Sequence, residues 1–443
     1  MIPIRVSNVL HSFATEAEVS ALVEGMPGSK SGDRLWFRFP LELGNQLGAG
    51  GEPFVAALLP TAMALGLPLS VEVPVDEEFL NGCQQIMSLY ASWDRRLHRI
   101  EIRAPIASLK NRDSCGTACF FTGGVDSFYS LLKNLDRERG ENRVTHLIFI
   151  RGYANCPLEN EPLFDGLLKN LERVAVATEL QLVVISTNLK SFLGAPAAGW
   201  DWYAGSLLVA PALCLAPMFR RVIIPSGDTY STLSAWGSHP LVDPLWSTAG
   251  LQFLHDGCEA SRSRKLEHYV TRSELALQYL RVCDHESRGL HNCGRCEKCL
   301  RTLIGLRALG IAPPPGVFAQ SLDLRRVARL DGGNRVVGYY LRDNLELARR
   351  YRRAELETFL VHALRNDPLR WIWRRALVTS QEIDRRLLNG RIRRWALSEA
   401  AHNDEQSTVR LAPIRWMLSQ FLRKTRLKTT PHVQNAGKRD SSL

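Results

Sequence analysis

From about residue 115 to 225 the chain alternates short, continuous apolar runs with longer amphipathic ones. Residues 118–122, 144–150, 181–186 and 221–225 read as strands, and 126–136, 161–179 and 202–219 as the helices between them. Strands apolar at every position are buried on both faces, and parallel neighbours need crossovers of a dozen residues or more, which the helices supply. The pattern predicts an α/β fold around a parallel sheet. Ligands in such sheets bind beyond the carboxyl ends of the strands, so a site is expected in the loops after Phe121, Ile150, Ser186 and Ile224.

The first of these loops reads Phe121-Thr122-Gly123-Gly124-Val125-Asp126-Ser127 and runs from a strand into a helix. Two glycines let the backbone turn tightly and approach a ligand. The helix start turns backbone N–H groups and partial positive charge toward the loop, and Thr122 and Ser127 add hydroxyls. The arrangement suits a phosphate, although the lysine of the Walker loop and the third glycine of the dinucleotide fingerprint are missing. A tight turn with Asp126 as a plain helix cap is the bland alternative.

Further on, Cys283, Cys293, Cys296 and Cys299 fall within 17 residues, with Gly294 at the turn between them. Ten cysteines in 443 residues are too sparse for a disulfide scaffold. Four clustered thiols in a reducing compartment point to a metal, and four thiolates select zinc or, as the alternative, an iron–sulfur cluster. Four protein ligands close a tetrahedral shell, which makes such a site structural.

The glycine loop resembles the PP-loop of N-type ATP pyrophosphatases, Ser-Gly-Gly-x-Asp-Ser, with Thr122 in place of the first serine. Together with Cys293-Gly-Arg-Cys-Glu-Lys-Cys-Leu-Arg301, residues 115–310 resemble the 7-cyano-7-deazaguanine synthase family. The resemblance implies an adenine-nucleotide α-hydrolase-like sheet. It implies that Thr122, Gly123, Gly124, Val125, Asp126 and Ser127 bind ATP. Gly123, Gly124 and Ser127 would hold the pyrophosphate, Asp126 and Ser127 would be catalytic, and Asp126 would orient Mg²⁺. Asp228 after the fourth strand, in Ser226-Gly227-Asp228-Thr229, is expected as a ligand-facing carboxylate. Lys265, in Ser261-Arg262-Ser263-Arg264-Lys265, is expected as a phosphate ligand at a helix start. The implied chemistry is ATP-dependent adenylation of a carboxylate or amide, followed by attack of ammonia or an amine to give an amide or nitrile. ATP, Mg²⁺ and Zn²⁺ are the implied cofactors. With no glutaminase-like motif, the nitrogen is expected from free ammonia or a partner. The family's substrate stretches are replaced here, by Arg151-Gly-Tyr-Ala-Asn-Cys156-Pro after the second strand, so the acceptor stays open.

Two alternatives stand beside this reading. A nucleoside or tRNA sulfurtransferase would need a reactive thiol among Cys115, Cys119 and Cys156. A non-enzymatic nucleotide-binding adaptor would need only the fold. Two smaller features also stay open. Trp202-Tyr203-Ala204-Gly205-Ser206 starts a helix at the sheet's carboxyl edge, either as a loose match to the resembled family's phosphate- and substrate-facing turn or as an ordinary start capped by Asp201, and His239 with Asp243 in a Pro-stiffened loop suits either a pocket wall or an ordinary turn.

The flanks complete the expected organisation: an N-terminal α+β module at 1–110, the PP-loop ATP-binding domain with its four-cysteine zinc knuckle at 111–312, a basic helical region at 313–427 with helices at 336–364, 368–378, 381–398 and 411–424, and a disordered tail at 428–443. Strands at 34–39, 69–73 and 99–103 and helices at 53–65 and 77–93 make up the first. The net charge is +11, and residues 321–443 alone carry +13, from 26 basic and 13 acidic side chains. Its arginine pairs interleave with Trp371, Trp373, Trp395 and Trp416, so a nucleic acid or acidic surface is the expected partner there, with solvated amphipathic helices as the bland reading. The longest apolar run, 207–219, is too short for a membrane span and contains two prolines. No secretory signal is read at the N-terminus, so a cytoplasmic protein is expected. A homodimer is carried as an open option.

Overall fold

In the computed structural model, residues 2–26, 32–107, 116–153, 155–283 and 292–365 are described. The chain divides into two compact units, 1–331 with 336–363, and 332–335 with 364–443. The fold and site below lie in the first. The helices expected at 368–378, 381–398 and 411–424, the tail at 428–443, and Cys115 lie outside the described residues.

The strands are β1 (Ile4–Phe13), β2 (Ala17–Glu24), β3 (Arg34–Phe39), β4 (Leu69–Val71), β5 (Val75–Asp76), β6 (Ile102–Arg103), β7 (Ile106–Ala107), β8 (Gly116–Phe120), β9 (His146–Arg151), β10 (Gln181–Thr187), β11 (Phe219–Pro225) and β12 (Gln252–Asp256). Ten form one sheet in the order β12-β11-β8-β9-β10-β3-β2-β1-β4-β6, and β5 pairs with β7 in a two-stranded sheet. From β12 to β10 every neighbour is parallel, as the sequence pattern requires. Along these strands Ala118, Phe120, Ile148, Ile150, Val222 and Ile224 pack into one core, while Cys119, Phe121, Leu147, Phe149 and Ile223 pack into a second. Both faces are therefore covered, which explains the continuous apolar runs.

The 1–110 segment adds to this same sheet. β3 pairs antiparallel with β10, with Ser186 opposite Arg38 and Thr187 opposite Phe37. Asn188 prolongs that ladder with its side chain, accepting from Trp36 N–H at 2.9 Å and donating to Arg34 C=O at 2.8 Å. β2 and β1 follow antiparallel, and β4 and β6 parallel.

The helices are α1 (Glu52–Leu65), α2 (Glu77–Trp93), α3 (Val125–Arg137), α4 (Glu161–Thr178), α5 (Leu189–Leu193), α6 (Ser206–Leu213), α7 (Arg262–His268), α8 (Glu274–Gln278), α9 (Glu297–Leu309), α10 (Leu324–Ala328), α11 (Arg335–Arg350) and α12 (Ala354–Leu364). Their starts follow local chemistry: Asp76 caps α2 by accepting from Phe79 N–H, and Asn160 caps α4 by accepting from Leu163 N–H. The helix expected across 202–219 is much shorter. A 3-10 turn at Trp200–Tyr203 precedes α6, which ends at Leu213. Pro217 forbids further helix, and the chain has to extend into β11. The helix expected across 336–364 is broken into α11 and α12. Arg352 sits in the left-handed region at φ 54°, Arg353 N–H closes the α11 end on Ala348 C=O, and the Arg353 guanidinium donates to Ala308 C=O at the end of α9. That break is tertiary, and no glycine or proline announces it.

Strands β8 to β12 run 3-2-1-4-5 in chain order from β10 to β12. The direction of winding reverses between β8 and β11, the place where an open α/β sheet leaves a crevice for ligands. Among the described residues no helix is long and apolar enough to cross a membrane.

Candidate functional site

The glycine loop closes β8 and opens α3 beside that crevice. Gly123 adopts φ +73°, and a Cβ there would lie 3.2 Å from Tyr279 C=O, so the turn needs glycine twice over. Gly124 is the helix cap, and Asp126 lies in the first turn with its side chain left for other work. Ser127 is buried. Its Oγ donates to Gly124 C=O at 3.1 Å and faces the Thr122 N–H at 3.4 Å, so it braces the loop from within. Val125 is in the core, and Thr122 is exposed at the rim.

Asp126 is held by two cations. Arg262 Nη1 lies 2.6 Å from Oδ2 and Lys265 Nζ 3.1 Å from Oδ1. Lys265 is 1% exposed and also donates to Ser226 C=O after β11, so it ties the ends of β8 and β11 together. Burial by itself pushes the Asp126 carboxyl up, but Lys265 and Arg262 outweigh it and hold the group down at about 2. Each carboxylate oxygen thus already faces a cation, and a Mg²⁺ on the remaining lone pairs would sit beside two like charges. This donor set does not fit the metal role expected for Asp126.

A cavity of about 280 Å³ opens over the loop. Thr122, Gly124 and Asp126 of the loop line it, together with Phe149, Asn155 and Leu167. The same lining carries Arg262, Arg281, Lys298 and Arg301. Two of these guanidiniums have an acidic partner, Arg262 in Asp126 at 2.6 Å and Arg301 in Glu297 at 3.6 Å. Arg262 and Arg301 are 7% and 6% exposed, and the Nε atoms of Arg262, Arg281 and Arg301 are buried with no hydrogen-bond partner. Buried donors normally find acceptors, so three orphans around one cavity mark a place for oxyanions. Burial, then the neighbouring Arg262 charge, push Arg301 below its ordinary value, as expected of two guanidiniums buried side by side. Of the residues expected as ATP ligands, Thr122, Gly124 and Asp126 line the cavity and Lys265 joins through Asp126. Asp228, at the end of β11, lies outside the lining, with its N–H on Ser226 Oγ at 3.1 Å. Arg281, Lys298 and Arg301 were not singled out as anion ligands from the sequence, because only the tertiary fold gathers them.

The four cysteines meet beside the cavity, which Cys283 helps to line. All four Sγ atoms lie within 4.8 Å of one another, with Cys283–Cys296 at 3.9 Å and Cys293–Cys299 at 3.8 Å. Zinc–sulfur bonds of about 2.3 Å imply tetrahedral edges of about 3.8 Å, so the thiol set fits such a metal. Gly294 takes φ +72°, and a Cβ there would collide with Gln320 C=O. The buried Asn292, absent from the sequence reading, holds the two halves together. Its Oδ1 accepts from Val282 and Cys283 N–H at 2.8 and 3.1 Å, and its Nδ2 donates to Leu280 and Val317 C=O at 2.8 and 2.9 Å. The strip between loop and knuckle is short: Arg281 N–H donates to Gly123 C=O at 2.7 Å, and its guanidinium donates to Cys283 C=O at 3.0 Å. The glycine loop and the cysteine cluster are therefore mechanically linked.

The remaining candidates separate. His239 accepts from Leu241 N–H at 3.0 Å and packs edge-on against Trp93, as a structural histidine does. Asp243 is fully buried and binds Ser238 Oγ at 2.8 Å and His255 Nδ1 at 2.6 Å. Burial pulls His255 down, but Asp243 and Cys258 overcome it and raise its pKa to about 9. Burial pushes the Cys119 thiol far up and the Cys156 thiol to about 11. Trp202 starts no long helix; its indole donates to Asp94 at 3.2 Å.

No family model, curated protein or solved structure matches the chain.

Proposed function

We propose that the chain is an ATP-dependent adenylating enzyme that activates a carboxylate or amide and passes the acyl group to ammonia or an amine. The observation that carries this is the cation-walled cavity over a two-glycine strand-to-helix turn at the switch point of a 3-2-1-4-5 sheet. Its size suits the phosphate end of a nucleotide, with the adenosine toward solvent. In this reading the first-turn N–H groups of α3 and the Arg262, Arg281 and Arg301 guanidiniums take the β- and γ-phosphates. The acceptor oxygen attacks the α-phosphorus, pyrophosphate leaves with its charge held by those donors, and the acyl-adenylate remains. On an activated carboxylate, ammonia or an amine then attacks the acyl carbon, loses a proton, and AMP departs to leave an amide. An adenylated amide instead loses its remaining N–H proton and AMP to give the nitrile, with no incoming amine. Asp126 acts as a positioning residue, fixing Arg262 and Lys265 rather than binding a metal. The cysteine cluster, filled with zinc, would be structural, holding Arg281 in place through Cys283.

The sulfurtransferase alternative needs a thiolate, and burial keeps the Cys119 and Cys156 thiols protonated at neutral pH, which favours the amine route. Pyrophosphate and AMP release from ATP, screened against 7-carboxy-7-deazaguanine, other carboxylates and tRNA, tests the proposal. Release of AMP and pyrophosphate with an amide or nitrile product is expected. ADP and phosphate as the products, or thiolated tRNA, would overturn it.

A further inference from the structure

Helix α11 belongs by sequence to the basic region beyond the nucleotide domain, yet one of its faces touches three of the elements that build the anion site. Asp343, 9% exposed, accepts from Ser263 N–H at 2.8 Å and from Ser263 Oγ at 2.6 Å. Ser263 lies in the first turn of α7, next to Arg262 and two residues before Lys265, so this carboxylate satisfies an otherwise orphaned helix-start donor and fixes the rotation of α7. One turn earlier, the Tyr340 ring lies under the Arg301 guanidinium, 3.8 Å from carbon to ring centroid, and its hydroxyl donates to Gly227 C=O at 3.3 Å in the loop after β11. Asn344 donates to Arg301 C=O at 3.2 Å. A Cβ on Gly305 would lie 3.3 Å from Asn344 Oδ1, so α9 and α11 approach closely there.

We infer that Tyr340, Asp343 and Asn344 are positioning residues of the anion site, and that α11 clamps α7, α9 and the β11 loop so that Arg262 and Arg301 face the cavity. The three sit at the i, i+3, i+4 spacing that places side chains on one helix face. A guanidinium displaced by about 1 Å loses most of its value to a bound oxyanion, so the clamp sets affinity as well as stability. This inference rests on the reading of the cavity as a polyphosphate site.

The test is the affinity of the full-length chain for inorganic pyrophosphate and for MgATP, by calorimetry well below the unfolding midpoint, with the midpoint measured separately. Asp343→Ala is expected to weaken pyrophosphate binding about tenfold. Asp343→Asn, whose amide can remake both bonds to Ser263, is expected to bind as wild type or better. A purely electrostatic role predicts that both variants bind the anion more tightly, because both remove a negative charge beside Arg262. Tyr340→Leu is expected to lose about tenfold, and Tyr340→Phe, which keeps the ring and drops only the bond to Gly227, about threefold. Pyrophosphate binding within twofold of wild type in both Asp343→Ala and Tyr340→Leu overturns the inference, even if both melt earlier. Should those two fail to fold, unchanged binding in Tyr340→Phe overturns it instead. A wild-type chain that binds neither probe removes the polyphosphate reading itself, and the inference with it.

Discussion

Replacing Asn292 by alanine should cost the protein far more than an ordinary polar-to-alanine change. The side chain is 1% exposed and makes four hydrogen bonds, all to main chain. Truncation leaves Val282 N–H and Leu280 C=O without this partner and takes one bond from Cys283 N–H, whereas Val317 C=O keeps the Asn292 main-chain N–H at 3.0 Å. A buried main-chain group left unpaired costs about 1–3 kcal/mol. Two such groups and the bond lost at Cys283 give about 3–5 kcal/mol, a large share of a typical domain's stability. Cys283 also loses the bond that presents its thiol to the other three, so zinc affinity should fall about 10- to 100-fold. Urea unfolding of the zinc-loaded protein gives the first quantity, and chelator competition the second. Asn292→Asp, nearly the same shape, should be at least as damaging at neutral pH, because an oxygen replaces the donor facing Leu280 and Val317 C=O. Unfolding of Asn292→Ala within about 1 kcal/mol of wild type, with zinc affinity unchanged, would refute the bracing role.

Elemental analysis should find about one zinc per chain, lost in Cys283→Ser, Cys293→Ser, Cys296→Ser or Cys299→Ser; iron with labile sulfide would point to the cluster alternative. Because Arg281 bridges Gly123 and Cys283, stripping the metal should also weaken pyrophosphate binding, and unchanged affinity in the apo protein would disprove that linkage. The double change Asp126→Asn with Ser127→Ala should abolish pyrophosphate release while circular dichroism stays native; wild-type turnover would end the PP-loop assignment. The His255–Asp243 pair has a sign that can be checked by pH. The folded pKa of about 9 lies above the ordinary 6.5, so its stabilisation is complete below about pH 6.5 and disappears as pH rises through 9. The loss is on the order of 3 kcal/mol and should be missing from the pH profile of Asp243→Asn.

Much of the fold is written locally. The runs at 118–122, 144–150, 181–186 and 221–225 became β8, β9, β10 and β11 because a strand buried on both faces must be apolar throughout, and that shows in a window of five residues. The glycine loop and the cysteine spacing are also local, since a tight turn and a metal knuckle are built from near neighbours. β12 was invisible because it is a polar edge strand, ending in His255 and Asp256, whose side chains bind Asp243 and Lys133. The joining of β3 to β10 rests on pairings about 150 residues apart, with Asn188 reaching Trp36, and neither partner carries a mark of the other. The site follows the same division. Asp126 reads as important from its motif, but its partners Arg262 and Lys265 are 136 and 139 residues away. Arg301 is seen from sequence as part of a cysteine motif, and Tyr340 beneath it as one more helical residue. Charge clusters of this kind are set by which helix ends the sheet brings side by side, and a single arginine looks the same in sequence whether it is solvated or buried against a cavity.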